Sequence, residues 1–110
     1  MTYHIQYSKL FLRDLDKVWA EVFVASQNRT TTKKYINELI DKIEKYKDYP
    51  KLATPLYYED DWTGFYFVTF KAYMIFYHIE NNTIFMDRVL YAQSDYMQKL
   101  NINFSLPESE

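Results

Sequence analysis

Few side chains in this sequence are equipped for chemistry, and their types narrow what it can do. There is no cysteine, which excludes disulfides, thiolate metal sites and a cysteine nucleophile. The two histidines, His4 and His78, lie too far apart in sequence to make a good zinc set. A single glycine, Gly64, excludes phosphate-cradling loops, which need several backbone positions free of a side chain. No metal or cofactor is therefore expected. Residues 53–110 carry only three cationic side chains, Lys71, Arg88 and Lys99, against eight acids, a balance of −5. Residues 1–52 carry +3, within a total of −2 for the chain. A site that handles a polyanion needs cations, and the second half is poor in them.

The other unusual feature is the rings. With 12 Tyr, 8 Phe and 2 Trp in 110 residues, aromatic side chains are one fifth of the sequence, enough for both a core and a docking surface. The length suits one domain, expected over residues 1–100 with a polar tail at 101–110. The longest apolar run, Ala72 to Tyr77, is far shorter than the ~20 residues of a membrane span, and the start lacks a charged-then-apolar leader. A cytoplasmic location is the expectation.

The elements that must position these residues follow from periodicity. Tyr3 to Tyr7 alternates as a strand. Ser8 is placed to cap a helix on which Phe11, Leu15, Val18, Trp19, Val22 and Phe23 recur at spacings of three and four, to about Ser26. A turn and cap over Asn28, Arg29 and three threonines leads to a second helix marked by Ile36, Leu39, Ile40, Ile43 and Tyr46. Pro50 should stop that helix near Asp48. Lys9, Arg13, Lys17, Lys33 and Lys34 read as solvated faces of the helical hairpin.

From Leu56 onward, strand formers alternate with turn signals at Glu59-Asp60-Asp61 with Thr63-Gly64, at Lys71-Ala72 and at Asn81-Asn82. Strands are expected at Leu56 to Tyr58, Phe65 to Phe70, Tyr73 to Glu80 and Thr83 to Tyr91, and Ser94 should cap a short helix from Asp95 to Leu100. The fold class is thus α+β: an N-terminal strand and a two-helix hairpin packed on a mostly antiparallel sheet, with a short C-terminal helix.

This succession resembles the RelE/ParE superfamily of type II toxin–antitoxin toxins over almost the whole chain, and is closer to its ParE-like members. The residues that carry the resemblance are Tyr3-His4-Ile5-Gln6-Tyr7-Ser8 with Phe11 and Asp14-Leu15, then Tyr73-Met74-Ile75-Phe76-Tyr77, then Asp87-Arg88-Val89-Leu90-Tyr91 followed by Asp95-Tyr96. The resemblance implies a growth-arresting toxin restrained by an antitoxin protein. It also implies one of two targets: the ribosome with its messenger RNA, which the nuclease branch cuts, or DNA gyrase, which ParE proteins poison. Fold alone does not choose between them.

Cutting RNA by attack of a 2′-hydroxyl needs a base, donors for the charge growing on the phosphate and an acid for the leaving oxygen. The resemblance implies that the nuclease branch supplies these with an Arg after the first Tyr of the mid-sheet motif and with basic residues past the final strand. Met74 stands at the first place, Ala92 and Gln93 at the second. Should the chain cut RNA, its chemistry would fall to Tyr96, His78, Lys71 and Lys99. The preferred expectation is a protein that binds gyrase and performs no cleavage; a messenger-RNA endonuclease is the alternative, and a toxin-fold protein that only assembles with partners is a further one.

Alternation assigns the sheet faces. Tyr66, Val68, Phe70, Tyr73, Ile75, Tyr77, Ile79, Ile84, Met86, Arg88 and Leu90 should face the helices. Phe65, Phe67, Thr69, Met74, Phe76, His78, Phe85, Asp87, Val89 and Tyr91 should form the opposite face, too apolar to leave wet. Of these, Phe65, Phe67, Met74, Phe76, Phe85, Val89 and Tyr91 are the candidate partner-binding residues, for an antitoxin segment or a second copy in a homodimer. The plain alternative is that the terminal helix or tail covers the face as ordinary core. His78 reads as a sheet histidine rather than a base, and Glu59-Asp60-Asp61 as a solvated turn. Arg88 is expected to pair with Asp14 or Asp16.

Overall fold

The computed structural model describes residues 3–101. Strand β1 (His4–Tyr7) leads into helix α1 (Lys9–Ser26), and α2 (Arg29–Glu44) follows after only Gln27 and Asn28. A 3₁₀ turn (Pro50–Leu52) then opens the run β2 (Thr54–Tyr58), β3 (Asp61–Phe70), β4 (Tyr73–Glu80) and β5 (Thr83–Tyr91), and α3 (Tyr96–Lys99) closes it. The sheet order is β1-β5-β4-β3-β2, with β1 parallel to β5 and the other neighbours antiparallel. The α+β architecture expected from the sequence is the one observed.

Local chemistry explains most boundaries. The Ser8 hydroxyl accepts the Phe11 amide at 3.0 Å and donates to the Asp87 carbonyl at 3.1 Å, so one side chain starts α1 and ties it to β5. Gln27 takes the left-handed conformation at φ 53 and its amide closes on the Phe23 carbonyl, ending α1. Asn28 caps α2 through the Thr31 amide at 2.9 Å. The three threonines expected in the turn therefore lie inside the helix, and Thr32 is fully buried with its hydroxyl on the Asn28 carbonyl.

Helix α2 stops at Glu44, four residues before the Asp48 that the proline signal suggests. Its last turn tightens instead through Tyr46 to Ile43 and Lys47 to Glu44 bonds, and the Lys47 carbonyl is taken by the Tyr3 amide at the start of β1. Strand β3 runs longer than expected because the turn occupies only Glu59 and Asp60. Thr63 and Gly64 sit within the strand: the Thr63 hydroxyl donates to the Leu56 carbonyl at 2.7 Å, and Gly64 adopts φ 92 beside a register shift between Pro55 and Tyr57.

A second irregularity reverses part of the expected face assignment. Phe76 pairs with Arg88, but the next residue, Tyr77, pairs with Met86, so Asp87 is an extra residue bulged out of β5. Past the bulge the alternation shifts by one. Val89 joins the helix-side core, opposite Ile75, and Leu90 joins the outer face, opposite Met74. Asp87 and Arg88, expected on opposite faces, both neighbour outer-face residues, since Asp87 bonds His78 and Arg88 pairs with Phe76.

Two apolar clusters result. The larger lies between sheet and helices and includes Phe11, Val18, Leu39, Ile43, Ile75, Tyr77, Met86 and Val89. The smaller lies on the outer face, where Leu56, Met74, Phe76 and Leu90 are buried beneath Tyr96, Met97 and Leu100 of the C-terminal segment. Full burial of a large apolar side chain such as Phe76 contributes about 1.5–3 kcal/mol, enough to hold a short helix down. Helix α3 is shorter than the expected Asp95 to Leu100, because the Ser94 hydroxyl bonds the Tyr91 carbonyl at 2.6 Å instead of capping it. The tail at 102–110 lies outside the described residues.

Candidate functional site

The residues assigned to partner binding separate into three environments. Phe65, Phe67 and Phe85 are half-buried on the outer face. Met74 and Phe76 are core, at 7% and 0% exposure, with the Tyr96 ring 5.3 Å from that of Phe76. Val89 and Tyr91 are on the helix side, contrary to their assignment, because the Asp87 bulge moves them there; Tyr91 keeps 47% of its surface and lies 6.0 Å from the Tyr73 ring. The terminal helix thus covers much of the face, as the plain alternative holds.

Of the four side chains that a nuclease would have to use, Tyr96 and Lys99 share the single turn of α3, while Lys71 and His78 are held by partners elsewhere. Lys71, at the β3–β4 turn, pairs with Glu38 at 3.2 Å and lies over the Tyr35 ring at 4.7 Å. Tyr96 packs into the outer cluster and Lys99 borders a cleft beside α1. His78 is held at both nitrogens, Nδ1 to Asp87 at 2.6 Å and Nε2 to Glu80 at 2.9 Å, while its ring stacks on Phe85 with 5.0 Å between centroids. Burial alone would lower the imidazole pKa, but the two carboxylates outweigh it and raise it. A histidine with both nitrogens so held has neither one free to serve as a base. Burial pushes the Asp87 carboxyl up, with His78 acting against it.

The places where the resemblance puts nuclease cations hold no charge: Met74 is buried, Ala92 half-buried, and Gln93 exposed but neutral. Met74 lies among Leu56, Phe76 and Leu90, and Ala92 packs against the same cluster. An RNA phosphate would find no charge at any of the three and no space at Met74. Among the described residues, no group of three or more His, Cys, Asp or Glu is arranged to hold a metal ion.

The expected Arg88 partner is Asp14. Nε and Nη2 of Arg88 reach the two Asp14 oxygens at 2.7 and 2.9 Å, and Nη1 donates to the Lys99 carbonyl at 3.0 Å. Asp14 Oδ2 also accepts the Val89 amide at 3.1 Å. This pair joins α1, β5 and α3 at a point where β1 has stopped pairing with β5.

Sequence reasoning missed Leu56 and Leu90 as outer-cluster residues, and the bulge that moves Leu90 has no local signal. It also missed a second exposed apolar group, Tyr49, Leu52, Tyr57 and Trp62, around the 3₁₀ turn and the β2–β3 hairpin. The signal available for that group was position: Tyr49 and Leu52 flank Pro50 in a connection, where a side chain has no layer to bury it.

Comparisons with known proteins agree with this geometry. The family model described as the ParE toxin of the type II toxin–antitoxin system parDE matches residues 5–96. Among curated proteins, none matches the chain by sequence. Among solved structures, the chain is similar to the chromosomal ParDE toxin–antitoxin system from P. aeruginosa, with TM-score 0.68 and 10% identity, over 84% of this chain and 98% of that one. It is also similar to the toxin–antitoxin complex RelBE2 from Mycobacterium tuberculosis, with TM-score 0.58 and 17% identity, over 83% of this chain and 99% of that one. At such identities the structures speak for the fold, while the sequence match spans most of the chain: it belongs to the ParE toxin family of type II toxin–antitoxin systems.

Proposed function

We propose that this protein arrests growth by binding an essential cytoplasmic protein, DNA gyrase, without cutting RNA, and that a cognate antitoxin holds it inactive. The observation that carries this reading is the lack of charge at the nuclease positions: Met74 at 7% exposure, enclosed by Leu56, Phe76 and Leu90, with Ala92 beside them and a neutral Gln93 at the surface. Catalysis by charge stabilisation calls for cations aimed at the reacting phosphate, and these side chains carry no charge. The pairing of Lys71 with Glu38, and of His78 with Asp87 and Glu80, supports the same reading.

The antitoxin part rests on the family and on its structural relatives, one of which is a toxin–antitoxin complex. Phe65, Phe67 and Phe85 are the outer-face rings that keep surface for such a partner, and rings of this kind favour a protein over a polyanion. Two assays on the purified chain test the target. Inhibited supercoiling or trapped cleaved DNA with gyrase, together with intact messenger RNA on translating ribosomes, is the expected result. Codon-linked RNA cleavage that is lost in Tyr96→Phe or His78→Gln would overturn it in favour of the endonuclease, and inactivity in both assays would favour a protein that serves only in assembly.

A further inference from the structure

Beside α1, the C-terminal end of β5 borders a cleft of about 190 Å³ whose polar lining includes Asp14, Lys17, Glu21, Tyr73, Tyr91 and Lys99. It lies at the edge of the sheet between α1 and α3, lined from the helix side by Val18, Val89 and Tyr91 and from the outer side by Leu90. Strand β1 pairs with β5 only as far as Met86, so beyond that point no strand among the described residues covers this edge of β5. Asp14 takes the Val89 amide there, and Tyr91, two residues on, presents the same edge.

Most of the polar groups in the cleft are already committed. Asp14 is spent on Arg88 and Val89, all three Arg88 nitrogens donate to Asp14 or to the Lys99 carbonyl, and the Tyr73 hydroxyl donates to Glu21 at 2.6 Å. Two ammonium groups are not. Neither Lys17 nor Lys99 makes an ion pair among the described residues, although Glu21 lies one helical turn from Lys17. The charged groups lining the cleft therefore leave one positive charge uncompensated, in a chain whose second half is strongly acidic.

We propose that this cleft binds a single carboxylate carried by an extended segment of a partner protein, with Lys17 and Lys99 flanking the charge and the Tyr91 hydroxyl donating to it. One surplus charge suits one anionic group; a phosphodiester chain would bring several to a rim that also holds Glu21. The end of the β5 edge at Tyr91, beyond the Asp14–Val89 bond, and the Tyr73 and Tyr91 rings suit a peptide. The inference rests on the antitoxin reading for the partner's identity, while the cleft is read from the geometry.

The test is a titration of the full chain, followed by amide shifts, with a capped Val-Val-Glu-Val-Val peptide at low salt. Shifts at residues 17, 91 and 99 are expected, with affinity about tenfold lower for the Gln version of the peptide or for the Lys17→Gln, Lys99→Gln double variant. Tyr91→Phe, which keeps the ring, should weaken binding by a smaller factor. Equal binding of the Glu and Gln peptides, shifts confined to other residues, or tighter binding of an oligouridylate at the same three positions would each overturn the proposal. Co-expression with the products of the neighbouring genes, read for a small protein retained by the chain, separates the two readings. Retention of that small protein by the double variant as strongly as by the parent would overturn the cleft and leave the antitoxin reading standing. Peptide binding at the cleft with no small protein retained would support the cleft and count against the antitoxin reading alone.

Discussion

Asp14 and Arg88, 74 positions apart, meet in a two-point ion pair at 2.7 and 2.9 Å with side-chain exposures of 10% and 19%. The pair occupies the edge of β5 that β1 leaves open, and Asp14 serves as the hydrogen-bond partner that a further strand would have supplied to Val89. Because α1, β5 and α3 all converge on it, the helical hairpin, the sheet and the C-terminal helix share one electrostatic fastening.

Removing one member of this pair should cost far more than removing both. Asp14→Ala leaves the half-buried guanidinium with only the Lys99 carbonyl and the Val89 amide with no acceptor, and is expected to destabilise the fold by about 2–3 kcal/mol. The Asp14→Ala, Arg88→Leu double variant should recover part of that loss. Urea unfolding of the four members of the cycle measures the coupling, and faster amide exchange at Val89 marks the lost bond.

Stability should depend on pH through His78. Its pKa in the folded protein is raised above the ordinary 6.5 by Asp87 from β5 and Glu80 from its own strand, so the folded state binds the proton more tightly than the unfolded chain does. The contribution is fully present below about pH 6.5 and is lost as pH rises through the folded value. Thermal midpoints from pH 5 to 9 should fall across that window for the parent and flatten for His78→Gln. An unchanged profile in the variant would rule out His78 as the source.

The outer cluster should open when its cover is weakened. Tyr96→Ala removes the ring packed on Phe76 and is expected to cost about 1–3 kcal/mol, less than a fully buried ring because Tyr96 is only half-buried. Met74 and Phe76 would then gain exposure, read as increased binding of an apolar-surface dye without loss of helix signal.

Gly64→Ala isolates backbone strain. The added methyl group would meet nothing within 4 Å, but φ 92 is a conformation that side chains disfavour. A loss of about 1 kcal/mol in urea unfolding is expected from strain alone, with no change in cavity volume. A neutral result would mean that β3 relaxes locally and does not need the bend.

Much of the fold was legible because its signals act over short distances. The Ser8 hydroxyl starts α1 through an amide only three residues away, and Glu59 at φ 56, Lys71 at φ 53 and Asn81 at φ 57 make the three hairpin turns where the turn signals stood. The site was less legible. Alternation assigned Phe65, Phe67 and Phe85 to the outer face, where they are, but an extra residue in a strand leaves the local pattern of apolar side chains unchanged, so nothing in Asp87-Arg88-Val89-Leu90 announced the bulge. Register is a property of two strands, and only their pairing reveals it.

By itself the sequence determined the order of elements, the caps of the two long helices, the ring-rich core and the shortage of cations in the second half, since each depends on residue type and near-neighbour spacing. The tertiary structure alone decided which face Val89 and Leu90 take, that Met74 and Phe76 are covered by α3, that Asp14 rather than Asp16 holds Arg88, and that Lys17 and Lys99 share one cleft. The physical reason is that burial and ion pairing are contacts between segments distant in sequence, and an apolar side chain reads the same whatever comes to cover it.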